Sequence, residues 1–342
     1  MLIFEKNGRM KEYKSCSLKP YNTFGIEAEA TRLIILETET EILSLSEVLN
    51  SNEPRLILGG GSNILLTNNF EGNVIAPWFK GIEIVEDKAD GVKVKVAAGE
   101  EWDSFVEWAC QRNYWGIENL SLIPGKVGAS PIQNIGAYGV EVKDVIESVT
   151  FFEIEKGAFR TLTNQQCQFG YRNSIFKQEL KGKIIVTSVT FKLSKEPKPI
   201  LHYANLQDLA GVSPTTMAIR KVVIGIRESK LPNPKITGNA GSFFKNPVID
   251  EKLFNKLKAT YPDIPSYPSE GGTVKIPAGW LIEKGGWKGK TVGNVGVHAK
   301  QALVIVNYGG ATGEAIIGLA KEVQRTIKNQ FGIELEMEVN AI

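Results

Sequence analysis

Residues 116–142, GIENLSLIPGKVGASPIQNIGAYGVEV, constrain the fold of this chain more than any other stretch. Five glycines (Gly116, Gly125, Gly128, Gly136, Gly139) and two prolines (Pro124, Pro131) exclude a continuous helix. The segment is too apolar for a solvated linker and too long for an ordinary connection, which argues for function. Its polar groups are mostly neutral: Ser121, Ser130, Gln133, Asn134 and Tyr138. Glycine lets backbone come within contact distance of a ligand and turn its N–H groups toward an anion. Such a lining suits a large anionic cofactor held through amides. The alternative is a buried structural loop.

Composition narrows the classes. The 342 residues include 34 glycines, an excess over the usual share of about 7%. A net charge of +2 excludes a nucleic-acid binder working through bulk charge. Cys16, Cys110 and Cys167 form no CxxC pair, which excludes a disulfide scaffold and a cysteine zinc site and fits a reducing compartment. The two histidines, His202 and His298, lie far apart, so no metal site is expected. MLIFEKNGRMKEYK has no apolar signal region, and no run approaches eighteen apolar residues. A cytoplasmic location with no membrane partner is expected.

The coarse class is α+β. Residues 1–16 are polar and read as a loose extension. LIIL (33–36) reads as a strand, followed by a helix that a Thr38/Glu41 capping box opens and that Ile42, Leu45, Val48 and Leu49 bury. LIL (56–58) completes a βαβ-like start. Val92, Val94 and Val96 alternate after Asp90-Gly91 and form a hairpin with Ile82 and Ile84. Trp102, Phe105, Val106, Ala109 and Cys110 have helical spacing, which makes Cys110 a core thiol. Strands follow at 149–154 and 183–193, with a turn or linker at 195–200. From about 215 to 330 the pattern is helix, Gly/Asn-rich loop, helix, strand and helix. The last helix has Ile316, Leu319, Ala320, Val323 and Ile327 on one face. FGIELEMEV then reads as a short strand with Glu334, Glu336 and Glu338 on one face.

Further motifs carry candidate chemistry. GGGSNILL (59–66) follows a strand but lacks the third glycine of a dinucleotide fingerprint, that position being Ile64. FGYRNSIFK (169–177) places Arg172 beside Tyr171, which suits a clamp on a carboxylate or phosphate. GNAGSFFKNP (238–247) presents Ser242 beside Phe243 and Phe244, without the spacing of a hydrolase nucleophile elbow. If the glutamate face of 333–339 lines a cleft, one of its carboxylates can do acid–base work. GGWKGKT (285–291) imitates a phosphate-binding loop but has Lys284 where the first glycine is required, and the preceding residues read as helix.

Taken in order, YNTFGIEA, LGGGSNILL, the 119–142 segment, FGYRNSIFK, KLPNPK (230–235), GNAGSFFKNPV, IPAGWLIEKGGWKG (276–289) and LEMEV resemble the UDP-N-acetylenolpyruvoylglucosamine reductase (MurB) family from about Lys19 to Val339. LHYANL and YPSEGGTVKIPAGW resemble its first type, with a Tyr-bearing loop over the substrate. The resemblance implies a vanillyl-alcohol-oxidase-type FAD fold of two α+β subdomains plus a third α+β substrate-binding domain. Its boundaries fall at 17–79, 80–214 and 215–329, after a 1–16 extension and before a returning 330–342 strand.

The resemblance also implies a cytoplasmic, monomeric flavoenzyme of peptidoglycan synthesis, with non-covalent FAD and NADPH as co-substrate. It reduces UDP-N-acetylglucosamine enolpyruvate to UDP-N-acetylmuramate and needs no metal or nucleic acid. Catalytic roles fall on Arg172, Ser242 and Glu338. Cofactor contacts fall on Gly59, Gly60, Gly61, Ser62, Asn63, Pro124, Gly125, Gly128, Ala129, Ser130, Asn134, Ile135, Gly136, Tyr138 and Gly139. Substrate contacts fall on Tyr171, Tyr203, Lys230, Asn246 and Gln301. Ala129 and Met337 depart from the residues common in the family, a hydroxyl and a proline. Two other readings are another FAD-dependent oxidoreductase of the same superfamily and a non-catalytic UDP-sugar-binding protein.

Overall fold

The computed structural model describes residues 3–6, 10–203, 206–211 and 213–342. Ala204 and Asn205 of LHYANL, and residues 1, 2 and 7–9 of the expected extension, lie outside them. The chain forms two compact units. The first takes the described residues of Met1–Cys16, Ala30–Gly60 and Phe70–Ser229, and the second takes Ser17–Glu29, Gly61–Asn69 and Lys230–Ile342.

The first unit contains two five-stranded sheets. In one, the order is Ile3–Lys6, Met10–Ser17, Glu29–Leu36, Phe70–Pro77 and Arg55–Ile57. Glu29–Leu36 and Arg55–Ile57 both run parallel to Phe70–Pro77 between them. The expected βαβ start is therefore present, with a later strand inserted. Two differences stand out. Met10–Ser17 is a strand, not a loose extension; its mostly polar, part-exposed side chains gave no hydrophobic signal. The helix opened by Thr38 is a 3-10 segment at Glu39–Leu45 that becomes α-helical only at Ser46–Asn50. Ile42, Leu45 and Leu49 are buried as expected.

The other sheet is antiparallel, ordered Ala158–Thr163, Ile146–Glu153, Ile184–Ser194, Gly91–Ala97 and Ile82–Asp87. Val92, Val94 and Val96 are buried, and the Lys88 N–H closes the Asp90-Gly91 turn on the Gly91 carbonyl at 2.9 Å. Trp102, Phe105, Val106, Ala109 and Cys110 of the Trp102–Cys110 helix enter the same core as these valines. Burial pushes the Cys110 thiol up to about 12, so it is inert at neutral pH. Cys167 lies buried in a 3-10 turn and is likewise raised to about 12 by burial. Trp115, Leu206, Ile219 and Val223 make a smaller core beneath the Thr216–Lys230 helix, with Tyr138 and Ile226 packed on it.

The second unit has a four-stranded antiparallel sheet ordered Gly238–Ser242, Val304–Asn307, Val295–Val297 and Thr291–Val292. The expected Gly/Asn-rich loop is thus partly a strand, irregular between Asn239 and Ser242. The helix Gly313–Phe331 buries Ile316, Leu319, Ala320, Val323 and Ile327. The Thr312 hydroxyl caps its start by accepting from the Ala315 N–H at 3.2 Å, and left-handed Gly332 ends it. Gly313 fits only as glycine, because a Cβ there would lie 2.0 Å from the Leu66 carbonyl oxygen. No helix among the described residues is long and apolar enough to cross a membrane.

Candidate functional site

In the first unit, the two glycine loops meet. A Cβ on Gly60 would fall 2.7 Å from Gly125 Cα, and one on Gly59 would fall 3.3 Å from the Ala129 Cβ. Side chains are excluded where the loops touch, so backbone is what they present. Among the described residues, the N–H groups of Gly59 and Gly60 donate to no protein acceptor. Nearby in sequence to Ala129, Ser130 is buried with its Oγ lacking any partner. Buried polar atoms are rarely left unsatisfied without a ligand, water or ion to meet them. Open amides and an orphaned hydroxyl fit the phosphates of a dinucleotide such as FAD. Gly61, the first residue of the motif in the second unit, is left-handed (φ 62°) and packs on the Tyr21 carbonyl.

The rest of the 116–142 segment is shaped by buried amides. Asn134, left-handed at φ 48°, donates its Nδ2 to Glu141 and to the Gly170 carbonyl, both at 2.9 Å, and accepts from the Lys143 N–H at 3.0 Å. Its side chain is fully engaged in holding the loop. Asn119, wholly buried, donates to the carbonyls of Tyr138 at 2.9 Å and Ile200 at 2.8 Å. This bond ties the loop to the segment carrying Tyr203. The Tyr138 and Tyr203 rings meet edge to face, with centroids 6.0 Å apart. Gly139 lies against that segment too: a Cβ there would be 3.4 Å from the His202 Nε2. The fold thus brings the His202 ring, distant in sequence, against this loop.

Arg172 reaches the same loop. Its Nη2 donates to the Gly136 carbonyl at 2.7 Å and its Nη1 to the Asn134 carbonyl at 3.4 Å. The guanidinium carbon lies 5.6 Å from the Tyr171 ring centroid. Arg172 is left-handed at φ 53°, an uncommon conformation for a residue of this size. A Gly170–Asn173 bridge pins this reversal on both sides. The guanidinium is thereby aimed at loop backbone by a turn, not by helix or strand geometry.

The second unit brings Ser242 and Glu338 together. Ser242 ends its strand with an exposed side chain, while Phe243 and Phe244 plunge into the core. Lys245 N–H donates to the Glu336 carbonyl at 2.9 Å, and Glu338 N–H donates to the Phe243 carbonyl at 2.8 Å. The Asn63 Nδ2 also reaches the Glu338 carbonyl, at 3.3 Å. Here the structure corrects the three-glutamate face. Glu334 and Glu336 are exposed, but Glu338 is only 8% exposed. The alternation breaks at Met337, which makes a lone bridge to Phe244, and the regular strand is confined to Asn340–Ala341. Glu338 is the member of the trio set apart from solvent.

Asn246 accepts from the Ala278 N–H at 3.0 Å, at the start of the Ala278–Lys284 helix. Gln301 stands over the same helix: a Cβ on Gly279 would lie 3.2 Å from its Oε1. Lys230 is exposed at the end of the Thr216–Lys230 helix. One charged residue escaped sequence reasoning: Arg227, on the helix line of buried Ile219 and Val223. An arginine four residues after Val223 and eight after Ile219 was the available signal. Among the described residues no group of three or more His, Cys, Asp or Glu could hold a metal.

Comparison with known proteins places the chain in a family. Residues 30–163 match the model for an FAD binding domain, and 233–342 match that for the UDP-N-acetylenolpyruvoylglucosamine reductase C-terminal domain. The chain is 47% identical over 330 residues to the UDP-N-acetylenolpyruvoylglucosamine reductase of Pseudomonas aeruginosa, covering 95% of this chain and 97% of the relative. It is 48% identical over 338 residues to that of Flavobacterium johnsoniae, covering 97% and 100%. The crystal structure of the Thermus caldophilus MurB matches with a TM-score of 0.66 at 25% identity, across 97% of this chain and 98% of that one. The fold is an α+β FAD-binding fold. With both family models matched in sequence order and near-complete coverage of its relatives, this chain belongs to the UDP-N-acetylenolpyruvoylglucosamine reductase family.

Proposed function

We propose that this protein reduces UDP-N-acetylglucosamine enolpyruvate to UDP-N-acetylmuramate, as a cytoplasmic monomer serving peptidoglycan synthesis. NADPH is the reductant, and bound FAD supplies the relay of hydride from it to the enolpyruvyl ether. The observation that carries this reading is the pairing of exposed Ser242 with enclosed Glu338 through the Phe243 carbonyl, in a chain that also holds Arg172 on a strained turn. The reading keeps the boundaries 17–79, 80–214 and 215–329 for two flavin subdomains and a substrate domain.

The residues divide the work by charge. Hydride addition at the vinyl terminus leaves negative charge on the carbon bearing the carboxylate. Arg172 counters that charge with a fork of parallel donors, the geometry a carboxylate accepts best. Stabilising developing charge with a fixed group in an enclosed site is commonly the largest catalytic contribution. Ser242 then delivers its hydroxyl proton to the carbanion-like carbon, and Glu338 polarises the same intermediate from its enclosed position. Gly59 to Asn63 and Gly125 to Ser130 would hold the cofactor pyrophosphate, with the Gly59 and Gly60 amides and the Ser130 hydroxyl as open donors, and Ile135 to Val140 would lie near its ring system. Tyr171, Tyr203, Lys230, Asn246 and Gln301 hold the nucleotide substrate.

The test is turnover. Purified protein should be yellow and should oxidise NADPH only when the enolpyruvyl nucleotide is added, forming one UDP-N-acetylmuramate per NADPH. Oxidation of NADPH at the same rate with and without the nucleotide contradicts the assignment.

A further inference from the structure

Ser242 stands on a bulge, and one buried side chain holds that bulge. Gly238–Ser242 pairs antiparallel with Val304–Asn307. Gly238 faces Asn307 and Asn239 faces Val306, in regular register. The next pairing is Ser242 with Val304. From Asn239 to Ser242 the chain advances three residues, while its partner advances two, from Val306 to Val304. One extra residue is therefore stored before Ser242. Gly241 within it is left-handed at φ 70°, the conformation that glycine supplies to bulges of this kind.

The extra residue decides which way Ser242 faces. Side chains alternate along a strand, so a slip of one residue moves every later side chain to the other face. With the bulge, Ser242 is exposed while Phe243 and Phe244 are buried, and the Phe243 N–H reaches the Leu303 carbonyl at 2.8 Å. The Phe243 carbonyl is the one that receives the Glu338 N–H. Ser242 and Glu338 thus both take their register from the bulge.

The Asn239 carboxamide spans it. Asn239 is 5% exposed. Its Oδ1 accepts from the Gly241 N–H at 3.0 Å, two residues on, as asparagines at tight reversals do. Its Nδ2 donates to the Thr237 carbonyl at 2.9 Å and to the Pro232 carbonyl at 3.2 Å. Its backbone N–H donates to the Thr23 carbonyl at 3.0 Å. The amide end is therefore anchored in the segment before the strand, and the oxygen end fixes the left-handed turn. We propose that Asn239 is a positioning residue for Ser242: its carboxamide sets the bulge that presents the serine hydroxyl for proton transfer. This rests on the proton-donor role proposed above and adds the residue through which the fold enforces it.

The experiment is single-turnover stopped flow of each half-reaction on the holoenzyme, with the enolpyruvyl nucleotide saturating. It compares the parent, Asn239→Ala, Asn239→Ser, Asn239→Asp, Ser242→Ala and the double variant that combines Asn239→Ala with Ser242→Ala. Bleaching by NADPH should stay within about twofold of parent in all of them, because that step takes no proton from Ser242. Reoxidation in Asn239→Ala should slow by about 10–10²-fold, the cost of a misplaced reacting group. Asn239→Asp keeps the acceptor for the Gly241 N–H and should recover most of that rate. It also sets a carboxylate against two carbonyl oxygens, so it should melt no higher than Asn239→Ala. Asn239→Ser, a weaker acceptor, should fall between the two in rate; if Asn239→Ala does not fold, parent-like reoxidation in Asn239→Ser overturns the proposal. In the Ser242→Ala background, Asn239→Ala should add less than about threefold, because it acts through a hydroxyl already removed. A merely structural asparagine would give rates that follow the thermal midpoint, slow both half-reactions alike and multiply the two losses in the double variant, and any of these results overturns the proposal. Parent-like reoxidation in Asn239→Ala beside a slowed Ser242→Ala overturns this inference alone, whereas an unslowed Ser242→Ala defeats the proton-donor reading along with it.

Discussion

The Glu338 N–H donates to the carbonyl of Phe243 at 2.8 Å, so the carboxylate that is enclosed and the serine that is exposed are set one residue apart across a two-segment pairing. Neither position can shift without breaking the bridge between Phe244 and Met337. The Lys245 and Glu336 backbone bond fixes the same register one step further along. Met337 thus sits in a backbone pairing that fixes the residue before Glu338.

Ser242→Ala separates the two half-reactions. If the hydroxyl is the proton donor, flavin in the variant should still bleach with NADPH at near-parent rate. Reoxidation by the enolpyruvyl nucleotide should slow by roughly 10²–10⁴. Ser242→Cys, which keeps a transferable proton, should recover part of the rate. A serine that merely holds its loop would leave single-turnover reoxidation at saturating substrate almost unchanged, and stopped-flow absorbance distinguishes the two.

Arg172→Lys tests the guanidinium fork. The parent Nη2 and Nη1 are oriented by the Gly136 and Asn134 carbonyls, and an ammonium cannot reproduce that planar arrangement. The loss should be on the order of 2–4 kcal/mol of barrier, about 10²–10³ in the substrate half-reaction. Turnover within about threefold of parent contradicts the role.

Gly60→Ala should damage the cofactor site through backbone alone. The new Cβ would fall 2.7 Å from Gly125 Cα, in a contact with no flexible side chain to yield. Overpacking of this kind costs about 1–3 kcal/mol, so flavin affinity should drop at least about tenfold. The readout is flavin content and an FAD titration of the apoprotein. Parent-like affinity would show that the two loops can part freely.

Asp103→Asn should destabilise the first unit. Arg220 is 5% exposed and would lose its paired carboxylate, while Arg227 keeps its charge nearby. Burial pushes Asp103 up, but the Arg220 pair and the Leu122 N–H outweigh it and hold the carboxyl below its ordinary value. A depressed carboxyl stabilises the fold above its unfolded value near 4, and that contribution fades as pH falls through the folded value. The melting-temperature gap between parent and variant should therefore be full at pH 7 and shrink below about pH 4. The loss at neutral pH should be about 2–3 kcal/mol, below that of a fully buried pair because Asp103 is partly exposed. A gap independent of pH contradicts the ion-pair account.

Much of this was legible before the fold. Val92 to Val96 and the helix Gly313–Phe331 declare themselves because burial on one face imposes their own period. The glycine clusters at 59–61 and 125–128 declare close backbone approach, and the Gly60–Gly125 contact supplies the reason. Other features depend on partners distant in sequence. Glu338 leaves the face of Glu334 and Glu336 because Phe243 and Phe244 pair with its segment. Met10–Ser17 is strand because a neighbouring strand offers it hydrogen bonds, not because its side chains seek a core. Arg227 went unremarked because the helix that carries it packs on Trp115 and Tyr138, about ninety or more residues earlier in the chain.

The most direct test of the whole account is anaerobic stopped-flow absorbance of the flavin on one preparation. NADPH should bleach the yellow protein, and UDP-N-acetylglucosamine enolpyruvate should then restore the colour without oxygen, with one UDP-N-acetylmuramate formed per flavin. A colourless protein, or a bleached flavin whose colour returns only on admitting oxygen, would contradict it.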